Sequence, residues 1–317
     1  MTNLRKTGLA AAAISAAVAF GWGSQAHAGA VAYASLDIYN FMLFNNETGQ
    51  QLGISDFVPV PNVTNSTSAA ATLFGIGSTG DAAPMDVALQ CVGNCAGIGE
   101  NDFSQQTPFT SASFSRGDAL LTGSLLQPLT GARGQGVAEV QLVGDFPVNS
   151  TANSELGTTA TFQFQLASDI SVRADFSAIP ILNVRTDELG GQPFAQIAFS
   201  ITLRNENTGE TVFSWAPDGD TNDSSGPFTE LKDECSLNTN RGTGIPGNNV
   251  TYAPEGCDFS ALVDLDAVDG EGNRITYTLT ITQNQTARAT SVVEPGSLAL
   301  LASGLLGLGA LSRRRRK

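Results

Sequence analysis

The 317 residues carry 30 Asp/Glu against 16 Lys/Arg and a single histidine, His27, for a formal charge of −14. Between residues 29 and 292 the balance is 29 acidic against 9 basic side chains, close to −20, which repels phosphate backbones and excludes nucleic acid as a partner. With His27 outside that span, no side chain of the body has an unperturbed pKa near neutrality, so Ser-His-Asp and Cys-His catalysis, histidine metal sites and histidine phosphorelays are excluded.

Residues 1–28 read as an export signal helix. Arg5 and Lys6 precede an apolar run at 9–20, and Ala26-His27-Ala28 offers the small residues that signal peptidase requires, with Ala26 and Ala28 at the cleavage positions and Ala28 the last residue removed. The first strand of the body is expected at 36–41 (LDIYNF), and Gly/Ser/Thr/Pro-rich loops are expected through much of 45–135. Gly75-Ile76-Gly77-Ser78-Thr79-Gly80 fits the dinucleotide fingerprint G-x-G-x-x-G, but Asp81-Ala82-Ala83-Pro84 follows without a helical pattern, so it reads as a glycine-rich loop.

Further along, the dominant period is two. Residues 161–166 (TFQFQL), 170–174 (ISVRA), 197–203 (IAFSITL) and 275–281 (ITYTLTI) alternate apolar and short polar groups, the pattern of half-buried strands. Turn chemistry at Asn207-Thr208-Gly209 and at 269–273 (DGEGN) predicts hairpins, and 144–158 and 216–229 read as breaks. The expected class is all-β: an antiparallel β-sandwich or jelly roll over 29–292, one large sandwich rather than two small ones, without a repeat of 20–50 residues.

Four cysteines lie in the exported body, where thiols oxidise. Cys91 with Cys95 would close a small loop and Cys235 with Cys257 a larger one, although four cysteines allow three connectivities; a four-cysteine zinc site is the alternative, but no C-x-x-C knuckle is present, and disulfides are expected. Asp218, Asp220 and Asn222 place oxygen ligands at alternate positions, as calcium loops do, with Asp223 where the EF-hand glycine belongs and Thr229 at its twelfth position. Calcium is therefore the one cofactor that the residues suggest. In a second acidic stretch, Asp264-Leu265-Asp266, the central leucine marks a strand with both carboxylates on its solvent face. No aspartic-peptidase triplet or G-x-S-x-G elbow is present, and the body is read as non-enzymatic. The alternative is a carbohydrate-binding module or glycan-active enzyme on the same scaffold, which an exposed Trp215 or Tyr252 beside Asp and Asn would favour.

The C-terminal segment 293–317 has three parts: Val293-Glu294-Pro295, an apolar run at 298–311, and Arg313, Arg314, Arg315, Arg316 and Lys317. As a helix, 14 apolar residues reach roughly 21 Å against a hydrocarbon core of ~30 Å, so the run makes a short, marginal transmembrane helix. The cations hold its end cytoplasmic and leave the body outside. This end resembles the PEP-CTERM sorting signal of Gram-negative bacteria, with Val293 where the first proline of the motif belongs. The resemblance implies processing by an exosortase and release or transfer towards the cell surface, with only transient residence in the inner membrane. The segments 91–103 (CVGNCAGIGENDF), 114–119 (FSRGDA) and 38–41 (IYNF) resemble a family of exosortase-dependent surface proteins of proteobacteria. That likeness implies a cell-surface or extracellular protein associated with extracellular polysaccharide and biofilm, and it carries no catalytic residues.

Overall fold

The computed structural model describes residues 29–58, 61–106, 112–126, 128–143, 150–187, 190–221 and 224–291. Residues 1–28 and 293–317, expected above to be an export signal and a sorting segment, lie outside the described residues. Among those described, no helix is long and apolar enough to cross a membrane.

Among the described residues, sixteen strands and one 3-10 turn, Ile54–Asp56, make up the regular structure. In chain order the strands are β1 (Ala30–Asn45), β2 (Asn62–Leu73), β3 (Ile76–Ala83), β4 (Asp86–Gly93), β5 (Phe114–Gly123), β6 (Ala132–Leu142), β7 (Thr151–Phe164), β8 (Ile170–Thr186), β9 (Gln192–Asn205), β10 (Glu210–Trp215), β11 (Ser224–Ser225), β12 (Phe228–Asp233), β13 (Thr239–Gly242), β14 (Asn249–Tyr252), β15 (Cys257–Leu265) and β16 (Tyr277–Thr290). They form two antiparallel sheets. One runs β11-β12-β15-β8-β1-β6-β5-β4 with β14 added to β8; the other runs β10-β9-β16-β7-β2-β3 with β13 added to β9. The class is thus the expected all-β sandwich.

The alternation read from the sequence becomes the inner faces. On β9, Ile197, Phe199, Ile201 and Leu203 point inward and are buried; on β1, Ala30, Ala32, Ala34, Leu36 and Ile38 do the same. Aromatic rings fill the wide part of the core, where Phe176 stacks on Phe41 at 5.1 Å and on Phe259 at 4.7 Å. Towards β2, β4 and β5 a second, smaller cluster of Ala69, Val87, Ala119 and Leu156 fills the space between the sheets. Gly136 of β6 is needed there, because a Cβ at that position would sit 2.6 Å from Leu156 Cδ2 and 2.7 Å from Gln285 Oε1.

Several expectations are corrected. The first strand is longer than 36–41 and carries a bulge after Ile38, where Asn40 adopts φ 56°, a left-handed conformation that Asn tolerates. Besides the expected loops, residues 45–135 hold the strands β2 to β5 and the start of β6. Their inward positions are small, such as Thr67, Ala69 and Ala71 on β2, so apolar contrast is low. The break at 144–158 is strand from Thr151 onward for the same reason, with Ala152, Ser154 and Thr158 buried. Gly77 and Gly80 belong to β3, and Phe74 and Gly75, at φ 52° and 79°, make the two-residue turn that joins it to β2. No helix follows, so the dinucleotide fingerprint has no structural counterpart. Asn207-Thr208-Gly209 does close a hairpin, between β9 and β10. Residues 269–273 instead join β15 of one sheet to β16 of the other; only the short Val268–Arg274 bridge closes there, because Asp269 gathers the backbone N–H groups of Glu271 and Asn273 into a local turn.

Candidate functional site: a stapled loop and an acidic cluster

In the β4-β5-β6-β1-β8 part of the first sheet, strand register sets Cys91, Arg116, Glu139, Tyr33 and Asn183 side by side in one row. This row lies on the face opposite the core, where charge is ordinarily solvated, yet Arg116 and Glu139 are almost fully buried. The cover is the chain from 94 to 106, which starts at the Cys91–Cys95 disulfide and crosses the row. Arg116 Nε donates to Glu139 Oε2 at 2.8 Å and Arg116 Nη1 to the Asp102 carbonyl at 2.7 Å, while Nη2 reaches the Ser104 carbonyl. Glu139 Oε1 accepts from Gln106 N at 3.0 Å, and the Tyr33 hydroxyl donates to the Phe103 carbonyl. Burial pushes the Glu139 carboxyl up to about 7 against the pull of Arg116, and burial raises the Tyr33 phenol to about 12.

At the outer end of the row, Asp86, Glu100 and Asp118 each bring a carboxylate oxygen within 4.8 Å of the others. Asp86 opens β4 and Asp118 lies within β5. Their pairing slips between Val87 and Gln90, so Ala88 and Leu89 together oppose Asp118 as a β-bulge. The bulge frees Leu89 N to donate to both Glu100 oxygens, at 3.0 and 2.9 Å. Asn101, at φ 59°, turns its backbone N–H onto Asp118 Oδ2 at 2.7 Å and its side-chain amide onto Asp86 Oδ2 at 3.4 Å. Burial lifts the Asp118 carboxyl to about 6, with the Glu100 and Asp86 charges adding to the rise.

Sequence reasoning missed this cluster as a site. Arg116 and Asp118 alternate with Ser115 and Gly117 as an ordinary solvent face would, and Asp86 and Glu100 lie 14 positions apart in sequence.

Of the residues singled out from sequence, all four cysteines are bonded, Cys91 to Cys95 and Cys235 to Cys257. Two such bonds are the mark of an oxidising extracellular or periplasmic environment. Asp218 and Asp220 are exposed. Asp218 Oδ1 accepts from Asp220 N at 2.9 Å, Asp233 Oδ2 takes the backbone N–H groups of Asp218 and Gly219, and Asn222 lies outside the described residues. Asp264 and Asp266 are exposed on either side of the buried Leu265, as expected. Trp215 is buried at 2% exposure, its indole N–H donating to Glu230 Oε1. Tyr252 is half-buried; its hydroxyl donates to the Ser236 carbonyl at 2.8 Å, and the Arg241 guanidinium lies 4.8 Å from its ring centre. A cavity of about 90 Å³ between the sheets, lined by Phe41, Leu121, Phe162, Phe199 and Gln283 among others, is smaller than the roughly 300 Å³ at which small-molecule sites begin.

No family model and no curated protein matches the chain. Among solved structures, the infectious bursal disease virus VP2 subviral particle aligns at 10% identity over 91% of this chain and 88% of that one, with a TM-score of 0.10. The structure of the Gx strain of the same virus aligns at 11% identity over 85% and 67%, with a TM-score of 0.11. Likenesses this faint carry no argument about fold or function.

Proposed function

We propose that this chain is an exported cell-surface or extracellular-matrix protein, processed by an exosortase, with a non-catalytic structural or adhesive role linked to exopolysaccharide or biofilm. The observation that carries the reading is the order of the tail: Glu294-Pro295, a short apolar run, then five cations at 313–317. The body is compatible with that address, being all-β and stapled by two disulfides. Its aromatic groups favour the structural role over the glycan-binding one, since Trp215 is used inside the core and the Tyr252 ring is covered by Arg241.

Replacing Glu294 and Pro295 with alanine should leave the precursor in the inner membrane. Intact-mass measurement of the surface fraction is the check, and recovery of mature protein still carrying residues 298–317 overturns the reading.

A further inference from the structure

We infer that Asp86, Glu100 and Asp118, with the Asn101 side-chain carbonyl as a further ligand, form a binding site for one calcium ion. Three carboxylate oxygens within 4.8 Å of one another repel, and among the described residues no Lys or Arg forms an ion pair with any of them. Asp118 cannot relieve the repulsion by hydration, because the residue is 0% exposed.

Two oxygens say independently that something positive belongs there. Asp118 Oδ1 and Asn101 Oδ1 are both buried and have no hydrogen-bond partner. The orientation of the Asn101 amide follows from its NH₂ donating to Asp86, so the atom left over is the carbonyl oxygen, which can only accept. A buried acceptor without a donor is destabilising, and a metal ion removes that cost for both atoms at once.

The donor set favours calcium: carboxylate and amide oxygens with room for water suit an ion that takes six to eight oxygens in flexible geometry, whereas magnesium demands a near-ideal octahedron. The cluster is also held in place before any ion arrives, by Leu89 N on Glu100 and by Asn101 N on Asp118. Asp86 and Glu100 are exposed, which leaves room for water in the remaining coordination positions. A bound ion would tie the covering loop, through Glu100 and Asn101, to the edge strand β4 and to β5. This inference is independent of how the tail is processed.

The test is calorimetric titration of the exported, metal-stripped protein with calcium chloride and, separately, magnesium chloride, alongside thermal unfolding in each. One calcium per chain is expected, with Kd of about 10⁻⁴–10⁻³ M, an upward shift of Tm in millimolar calcium, and weaker binding of magnesium. Glu100→Gln alters an exposed side chain and does not endanger folding, and Asp118→Asn keeps the shape of the buried one; each should weaken calcium binding by about tenfold or more. An Asp218→Asn, Asp220→Asn double variant should bind as the parent does. Absence of saturable calcium binding, an equal calcium response in Glu100→Gln and parent, or loss of binding only in the Asp218/Asp220 variant would each overturn the site.

Discussion

Arg116 and Glu139 face each other across β5 and β6 with their charged groups 2.8 Å apart, at 0% and 1% side-chain exposure, on the side of the sheet turned away from the core. The pair is dry only because residues 94–106 lie over it, and the loop is held there by the same two side chains, which bind the Asp102 and Ser104 carbonyls and Gln106 N. Strand register and loop path thus depend on one another.

Removing both partners should therefore cost less than the sum of removing each. Arg116→Met leaves a buried carboxylate without its counter-ion and the Asp102 and Ser104 carbonyls without Arg116 as donor, an expected loss of about 3–5 kcal/mol in denaturant unfolding. The Arg116→Met, Glu139→Leu double variant should lose less than the sum of the single changes. Limited proteolysis should open at 94–106 first in the single variant. Additive losses, or a single-variant cost below about 1 kcal/mol, would show that the pair does not hold the loop.

This relationship also marks where the sequence stops being readable. Strands such as 161–164 and 197–203 announce themselves because Phe, Ile and Leu alternate with Gln, Ser and Thr. β2 and the first half of β7 bury Ala, Ser and Thr where the sheets are close, and a pattern of small residues against small residues has little contrast. The observed cysteine pairs are among those that spacing suggests. Glu100 and Asp118 give no such signal, since their meeting depends on a bulge at Ala88–Leu89 and on the left-handed turn at Asn101, neither of which has a side-chain signature.

The Cys235–Cys257 bond spans 22 positions and encloses β13, which joins the second sheet, and β14, which joins the first. The middle of this segment is polar, with Ile245 66% exposed, and only Leu237 near one end and Val250 and Tyr252 near the other reach the core. Replacing both cysteines with serine should cost about 3 kcal/mol, against roughly 2 kcal/mol for the Cys91–Cys95 pair, whose closed loop is shorter. Comparing unfolding midpoints of the two double-serine variants decides it, and equal or reversed losses would refute the loop-length argument.

Close approach of the sheets at Gly136 gives a steric prediction. Gly136→Ala must displace Leu156 or Gln285, because its methyl group would fall 2.6–2.7 Å from both, and should destabilise by about 1–3 kcal/mol. Gly270 lies in a turn where an added methyl group would meet nothing within 4 Å, so it is the control, and Gly270→Ala should stay within about 0.5 kcal/mol of the parent. If thermal unfolding shows both variants unchanged, the sheets are not in contact at this point.

The last expectation concerns Tyr33 and Tyr277, whose phenols are both raised to about 12, chiefly because burial disfavours the phenolate. A folded-state pKa above the unfolded value of about 10 means that the folded chain holds the proton more tightly, so this contribution to stability is complete below pH ~10 and is lost as pH rises through about 12. Absorbance of phenolate at 295 nm should therefore show part of the tyrosine signal appearing only near pH 12 in the folded protein, and all of it near pH 10 in denaturant. Tyr33→Phe should remove a share of the late component and flatten the decline of Tm between pH 10 and 12. A native titration that coincides with the denatured one would mean that neither phenol is buried as described.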